Sequence, residues 1–345
     1  MASTCAAALS ACGGGGDGPA TDSPIAQAPQ PAPGPAPSPS PAPTPTPAPA
    51  PTPAPAPATA SGDFRTEAAT DTGAQTEAQA NSLAAAGYAF IGPFSSHASP
   101  SAMAQLYLRF SGRSATSLQY ALKAAPDDAA AFEALLDSQG AQGFVYKGSA
   151  SASEGMVAML VRDTTRPGSV AYSLAPASLT DSIDSLLATL NARGAQGERW
   201  RGPLGFGTQV LDMRHLFERV GATPPTFVYE AVKLGSASGP ADAQALLSQL
   251  NAHGANGGRF LGTYFTGGET AMLFERRSGD TAAVVYEVEP VDRNETLAAM
   301  VQRLNTQAAL GRFFWSDFAT ADGAIVRVYV RDRVLDHPLY GAVFP

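Results

Sequence analysis

Leu186, Leu187 and Leu190, and again Leu246, Leu247 and Leu250, are spaced three and four residues apart. That is the apolar spacing of an amphipathic helix. Short apolar runs stand ahead of these helices, Phe227-Val228-Tyr229-Glu230 and Val284-Val285-Tyr286-Glu287, and predict strands. Tyr120 and Tyr172 hold the same place earlier in the chain, and Thr66-Glu67 opens the first such segment. Pro240 suits a first helical turn, and Asp292 with Glu295 has capping-box spacing.

The helices end on a recurring phrase. Leu136 to Gly143 reads L-D-S-Q-G-A-Q-G, Leu190 to Gly197 L-N-A-R-G-A-Q-G, and Leu250 to Gly257 L-N-A-H-G-A-N-G. Leu304 to Gly311 is a worn version, and Leu83 to Gly87 reads as a shortened one. A glycine after the last apolar turn suits the left-handed position that ends a helix. Three residues beyond stands an aromatic: Phe90, Tyr146, Trp200, Phe260 or Phe314. Gly92, Gly148, Gly202 and Gly262 follow two places on, with Ser316 breaking the pattern. Each aromatic therefore opens a strand, and its drifting identity at a fixed place marks it as core.

A third strand follows a glycine-marked turn and ends on arginine. The five arginines are Arg109, Arg162, Arg219, Arg276 and Arg331, at intervals of 53, 57, 57 and 55 residues. Several markers sharing one period make this a repeat array. Arg277-Ser278-Gly279-Asp280 has the composition of a hairpin turn joining one copy to the next. The fold class is α+β: five degenerate β-α-β-β copies, over residues 63–115, 116–167, 168–224, 225–281 and 282–335.

The helix-end phrase followed by an aromatic strand resembles a small uncharacterised bacterial domain family. In that family a leucine–asparagine helix end leads into glycine–tryptophan and a strand closing on basic residues. The resemblance covers one copy at a time, best over 227–277, and implies no particular activity. Two architectures suit five such units. One is a five-fold α/β propeller, favoured because closure removes exposed sheet edges. The other is a run of α+β sandwiches. Guanidine-modifying enzymes of the propeller type depend on a catalytic cysteine, and residues 63–345 contain none.

Composition separates this array from what precedes it. Residues 13–62 are nearly all Gly, Ala, Pro, Ser and Thr, with Ile25 the one large aliphatic residue. Such a stretch cannot bury enough apolar surface to offset the entropy of ordering it. Between Pro24 and Pro57 proline falls at about every second position, predicting a semi-rigid polyproline-II spacer. Roughly 35 residues of this kind would reach on the order of 100 Å. About 280 residues remain for a core, enough for one large domain or two smaller ones.

The chain has a formal net charge of −8, and only Asp17 and Asp22 of its charged residues precede the array, which therefore stays acidic. An acidic domain without a basic run is a poor match for nucleic acid. Both cysteines, Cys5 and Cys12, lie in residues 1–12. Leu9-Ser10-Ala11-Cys12 resembles the lipobox of bacterial lipoproteins, and the Gly13–Gly16 run and long tether continue in the same manner. That resemblance implies lipidation at Cys12 and export to the bacterial cell envelope. It implies an outer-membrane lipoprotein facing the periplasm or the surface, held to the membrane by its lipid alone. A signal's positively charged n-region is missing here and the apolar stretch before Leu9 is short, so the initiator is expected upstream of Met1.

The sequence contains no Ser-x-x-Lys, nucleophile elbow or P-loop motif, and its four histidines, His97, His215, His253 and His337, do not pair at metal-ligand spacing. No cofactor is expected. Gly202 to Gly207 reads as a turn, His253 as a solvated helix end, and Asp127-Asp128 as a helix start. Glu287 and Glu289 share a strand face. His215 with Asp212 is the one candidate acid–base pair. The recurrent arginines have two readings. Each can pair with an acid on a neighbouring strand, such as Glu230 or Glu287. In a closed ring all five could instead converge to bind an anion through forked hydrogen bonds.

The leading expectation is an envelope-anchored, non-enzymatic binding or scaffolding protein whose partner is an envelope protein or an anionic ligand. The alternatives are a cell-envelope hydrolase with a site composed from several copies, and a purely structural array.

Overall fold

The computed structural model describes residues 60–333 apart from 112–114, 167, 208–211, 236, 238 and 332. Cys12, the tether and His337 lie outside the described residues. The chain from Thr59 onward forms one unit.

The strand–helix–strand–strand order runs through it five times. Unit 1 comprises β1 (Gly62–Ala68), α1 (Gly73–Ala85), β2 (Ala89–Ser96) and β3 (Ser99–Phe110). Unit 2 comprises β4 (Leu118–Ala124), α2 (Ala129–Gly140), β5 (Val145–Ala152) and β6 (Gly155–Asp163). Unit 3 has β7 (Val170–Pro176), α3 (Ile183–Gly194), β8 (Arg199–Phe206) and β9 (Asp212–Val220). Unit 4 has β10 (Phe227–Gly235), α4 (Ala243–Gly254), β11 (Arg259–Thr266) and β12 (Glu269–Arg277). Unit 5 has β13 (Tyr286–Pro290), α5 (Leu297–Ala309), β14 (Arg312–Ala319) and β15 (Ile325–Arg331).

Each unit makes its own three-stranded antiparallel sheet, with the arginine-ended strand in the middle. The second and third strands form a hairpin. A β-bulge interrupts every one of these hairpins just after the aromatic: between Phe90 and Gly92, Tyr146 and Gly148, Trp200 and Gly202, Phe260 and Gly262, and Phe314 and Ser316. The bulge explains the glycine of the motif, since Gly148, Gly202 and Gly262 have φ of 146°, 115° and 126°.

The cores lie between units, not within them. Each helix packs chiefly on the first strand of the following unit, and α5 packs on β1. Leu186, Leu190, Trp200 and Phe217 of unit 3 meet Phe227, Tyr229, Leu261 and Leu273 of unit 4 in one cluster. Met300, Leu304, Ala308 and Phe313 of unit 5 meet Phe64, Phe94, Leu106 and Leu108 of unit 1 in another.

One contact recurs at every seam. The helix-end asparagine reaches the next first strand and bonds the main chain of one residue twice. Asn191 accepts from Tyr229 N–H at 2.8 Å and donates to its carbonyl at 3.0 Å, and Asn251 does the same to Tyr286 at 2.9 and 3.1 Å. Asn81 bonds Tyr120 in this way, Asn305 bonds Phe64, and Asp137 accepts from Tyr172 N–H. The first strand is an edge strand, so this clamp occupies outward main-chain groups that would otherwise be free to pair with another chain.

The helix comes close enough for this because of the first glycine in the phrase. A Cβ on Gly194 would lie 2.4 Å from the Phe227 carbonyl oxygen, and one on Gly254 2.1 Å from that of Val284. The second glycine has the helix-ending role, with φ of 80° at Gly197 and at Gly257. Two glycines three residues apart thus answer to two different constraints.

Five local expectations change. Gly202 to Phe206, read as part of a turn, pairs with β9 as part of β8. The first copy is not shortened: Asn81 occupies the clamp position and Gly87 the left-handed one, so the phrase runs from Ala80. Pro240 precedes the cap of α4, which is Asp242, accepting from Ala245 N–H. The cap of α5 is Thr296, while Asp292 accepts from Asn294 N–H in a turn and the Glu295 carboxylate goes to arginines. Arg277 to Asp280 does form a tight turn, but β12 and β13 belong to separate sheets, so it is no hairpin. Asp128 caps α2, as the Asp127-Asp128 pair predicts.

Candidate functional site

The five arginines occupy equivalent ends of the five central strands, and three of them, Arg109, Arg162 and Arg331, bond partners within their own unit. Arg109 stands opposite Asp63 in register and bonds it at 3.0 Å, with its guanidinium over the Tyr88 ring. Arg162 makes a forked contact to Gln119 at 2.9 and 2.7 Å and lies over Phe144. Arg331 meets Glu287 at 2.9 Å. Arg219 is exposed opposite Ala171, and Arg276 lies opposite Val228 beside His253. No partner is shared between two of these arginines among the described residues.

The candidate acids and bases do not assemble. His215 is buried, and its Nδ1 accepts from Trp200 Nε1 at 3.2 Å. Burial holds its pKa below the usual imidazole value, so the ring is neutral. Asp212 bonds Arg214 at 2.8 Å instead of turning to His215, which removes the proposed pair. Glu287 is taken by Arg312 and Arg331, and Glu289 by Gln307 and the Tyr329 hydroxyl. His253 stacks on Phe274 with centroids 4.0 Å apart and bonds Glu230, and His97 bonds Asp317 at 3.1 Å. No group of three or more potential metal ligands occurs among the described residues.

A charged network that single residues do not suggest lies buried across units 3 and 4. Arg199 faces Glu218 and Arg259 faces Glu275 as cross-strand partners. The same site holds Ala89 and Leu108, Val145 and Val161, and Phe313 and Val330 in the other units. Arg199 also crosses the seam to Glu275 at 3.0 Å, and Tyr229 reaches that carboxylate at 3.2 Å. Buried ion pairs are costly to form and severe to break. The cue in the sequence is the Glu in L-F-E-R, which the repeat otherwise fills with Leu or Val.

The seam between units 1 and 2 differs from the rest. The other helices turn a pair of large residues inward: Phe132 and Leu136, Leu186 and Leu190, Leu246 and Leu250, or Met300 and Leu304. Their equivalents in α1 are Thr76 and Ala80. Position 77 is glutamate, as is its equivalent Glu133 in α2, where α3 and α4 place Leu187 and Leu247 against their cores. A cleft of about 410 Å³ lies here, lined by Ala74, Glu77, Ala78, Leu122, Glu154 and Val157. That volume falls within the roughly 300–1,000 Å³ common for small-molecule sites.

The two carboxylates of this cleft are positioned by main chain. Glu77 accepts from Leu122 N–H at 2.7 Å, and Glu154 from Gly73 N–H at 2.7 Å. Ser153 N–H bonds the Asp71 carbonyl at 2.7 Å, which pins the β5–β6 turn against the start of α1. Main-chain N–H groups of Glu154 itself and of Gly73 hold the Glu154 pKa below the usual carboxylate range, so it is ionised.

The chain matches no known family model, no curated protein and no solved structure.

Proposed function

We propose that the chain is an envelope-anchored, non-enzymatic binding module whose five units close into a five-fold α/β propeller. Support for closure comes from α5 packing on β1 and from Asn305 clamping Phe64 as the other helix ends clamp the next unit. Closure would leave no unit with an unpaired first strand, which an open array must expose at one end. The anchor rests on the lipobox-like sequence at Cys12, and the tether on the proline-rich segment after it. Together they would hold the module away from a membrane surface. Cys12→Ala should then release the protein from membranes; unchanged fractionation would remove the anchor.

The observation that carries the binding reading is the cleft of the first seam. Four seams use large apolar pairs on the helix to build their cores, and this one leaves space bordered by two carboxylates and an apolar floor. The test is thermal unfolding of the full chain with wall fragments, polysaccharides, anionic metabolites and amines. A ligand at a hundred times its dissociation constant stabilises by about 2.7 kcal/mol, and for a domain of this size that is a rise of roughly 2–4 °C. The expected result is a rise with one class that disappears when Ala78→Leu fills the cleft. A rise that survives Ala78→Leu with every class would place binding elsewhere and remove the cleft from the account.

A further inference from the structure

We infer that the cleft between α1 and unit 2 binds a small aliphatic ammonium compound, with its charge on Glu77 and Glu154 and its carbon chain over Leu122 and Val157. The inference rests on the binding reading above and assigns the ligand class. Its first ground is how the two carboxylates are used. Elsewhere the buried carboxylates Glu218, Glu275 and Glu295 each meet an arginine. Glu77 and Glu154 line an open cleft and make no ion pair among the described residues. Glu154 also accepts from the Ser153 hydroxyl at 3.2 Å, and each carboxylate still keeps acceptor capacity, because it offers about four lone-pair sites. Two carboxylates at the rim of a cleft disfavour anions and suit a compact donor of several hydrogen bonds, which an ammonium is.

The second ground is the floor. Leu122 is half-buried on the cleft floor beside the buried Val157, and Ala74 and Ala78 of α1 add no bulk over it. An inorganic cation would leave that surface wet, whereas an alkyl chain would remove it from water. Gly73 belongs to the same arrangement. A Cβ there would lie 2.9 Å from the Glu154 carboxylate and 3.2 Å from Val157, so the absence of a side chain lets both approach the helix start.

The experiment is calorimetric titration of the full chain with cadaverine, a linear diamine, and with pentanediol as its uncharged counterpart. Saturable binding of the diamine alone is expected. It should weaken by about tenfold or more in Glu77→Gln with Glu154→Gln, as the loss of charged hydrogen bonds implies. It should also vanish in Ala78→Leu, a change at an exposed helix position that leaves both acids in place. Absence of saturable binding, equal binding of the diol, or undiminished binding to Ala78→Leu each overturns the assignment. If a ligand of another class binds and is lost in Ala78→Leu, the module reading stands and the amine assignment alone falls. If no class responds to that variant, both fall.

Discussion

Tyr120 shows how one side chain joins two units. Its main-chain N–H and carbonyl are held by Asn81, while its hydroxyl accepts from Phe90 N–H at 2.8 Å. Tyr172, Tyr229 and Tyr286 repeat this bond to Tyr146, Trp200 and Phe260. The hydroxyl thus satisfies an N–H beside the β-bulge, where the ladder is interrupted. Burial is the main cause that raises the pKa of each of these tyrosines, keeping the hydroxyl neutral. The fifth seam lacks the bond, because Phe64 stands in the tyrosine's place. Two opposite outcomes follow. Tyr120→Phe should lower stability by about 1–3 kcal/mol, since it strands a buried N–H. Phe64→Tyr, offering Phe314 N–H a hydroxyl, should raise it by about 0.5–1.5 kcal/mol. Denaturant titration of both checks the pair, and equal signs would show that the hydroxyl does not serve the seam. The recurring tyrosine and asparagine are plain in the sequence as repeat markers. Their roles are not, because each bonds a residue of the following unit and spacing within a copy carries no trace of it.

Among the elements, the helices and strands follow from apolar spacing almost unaided, whereas their boundaries do not. Pro240 and Asp292 look like helix starts, yet Asp242 and Thr296 provide the caps. Several polar residues near each start can cap equally well by local chemistry, and docking against the next unit decides among them. The helix-end phrase also hides its main constraint. Its first glycine reads as a cap, but its place inside α4 is set by approach to the neighbouring strand: Val284 N–H bonds the Gly254 carbonyl at 2.8 Å. Gly254→Ala should therefore force the helix off β13 and cost about 1–3 kcal/mol, the usual penalty of overpacking. The ordinary propensity effect points the other way, because Gly→Ala inside a helix normally stabilises by about 1 kcal/mol. Thermal unfolding of the variant separates the two by sign.

At the scale of the whole molecule, period and copy number were legible from the arginines and glycines, and the layout of each sheet was not. Five β-α-β-β copies suit sandwiches with private cores as well as a ring with shared ones. The cores are shared, so no unit buries its own helix alone. The candidate site was still less legible. The cleft is bordered on α1 by Ala74, Glu77 and Ala78, while Thr76 and Ala80 are buried beside it, and none of these is a marker of the repeat.

Closure of the ring is the claim on which the architecture turns, and one amide reports on it. Phe64 N–H bonds the side chain of Asn305, so its partner comes from the far end of the array and not from β3. Hydrogen exchange measured residue by residue in the full chain reads that bond directly. The account predicts that the Phe64 amide is protected like the Tyr120 amide, and that Asn305→Ala releases Phe64 while leaving Tyr120 protected. A Phe64 amide that exchanges freely in the unaltered chain, with Tyr120 protected, would contradict closure and leave five units in an open row.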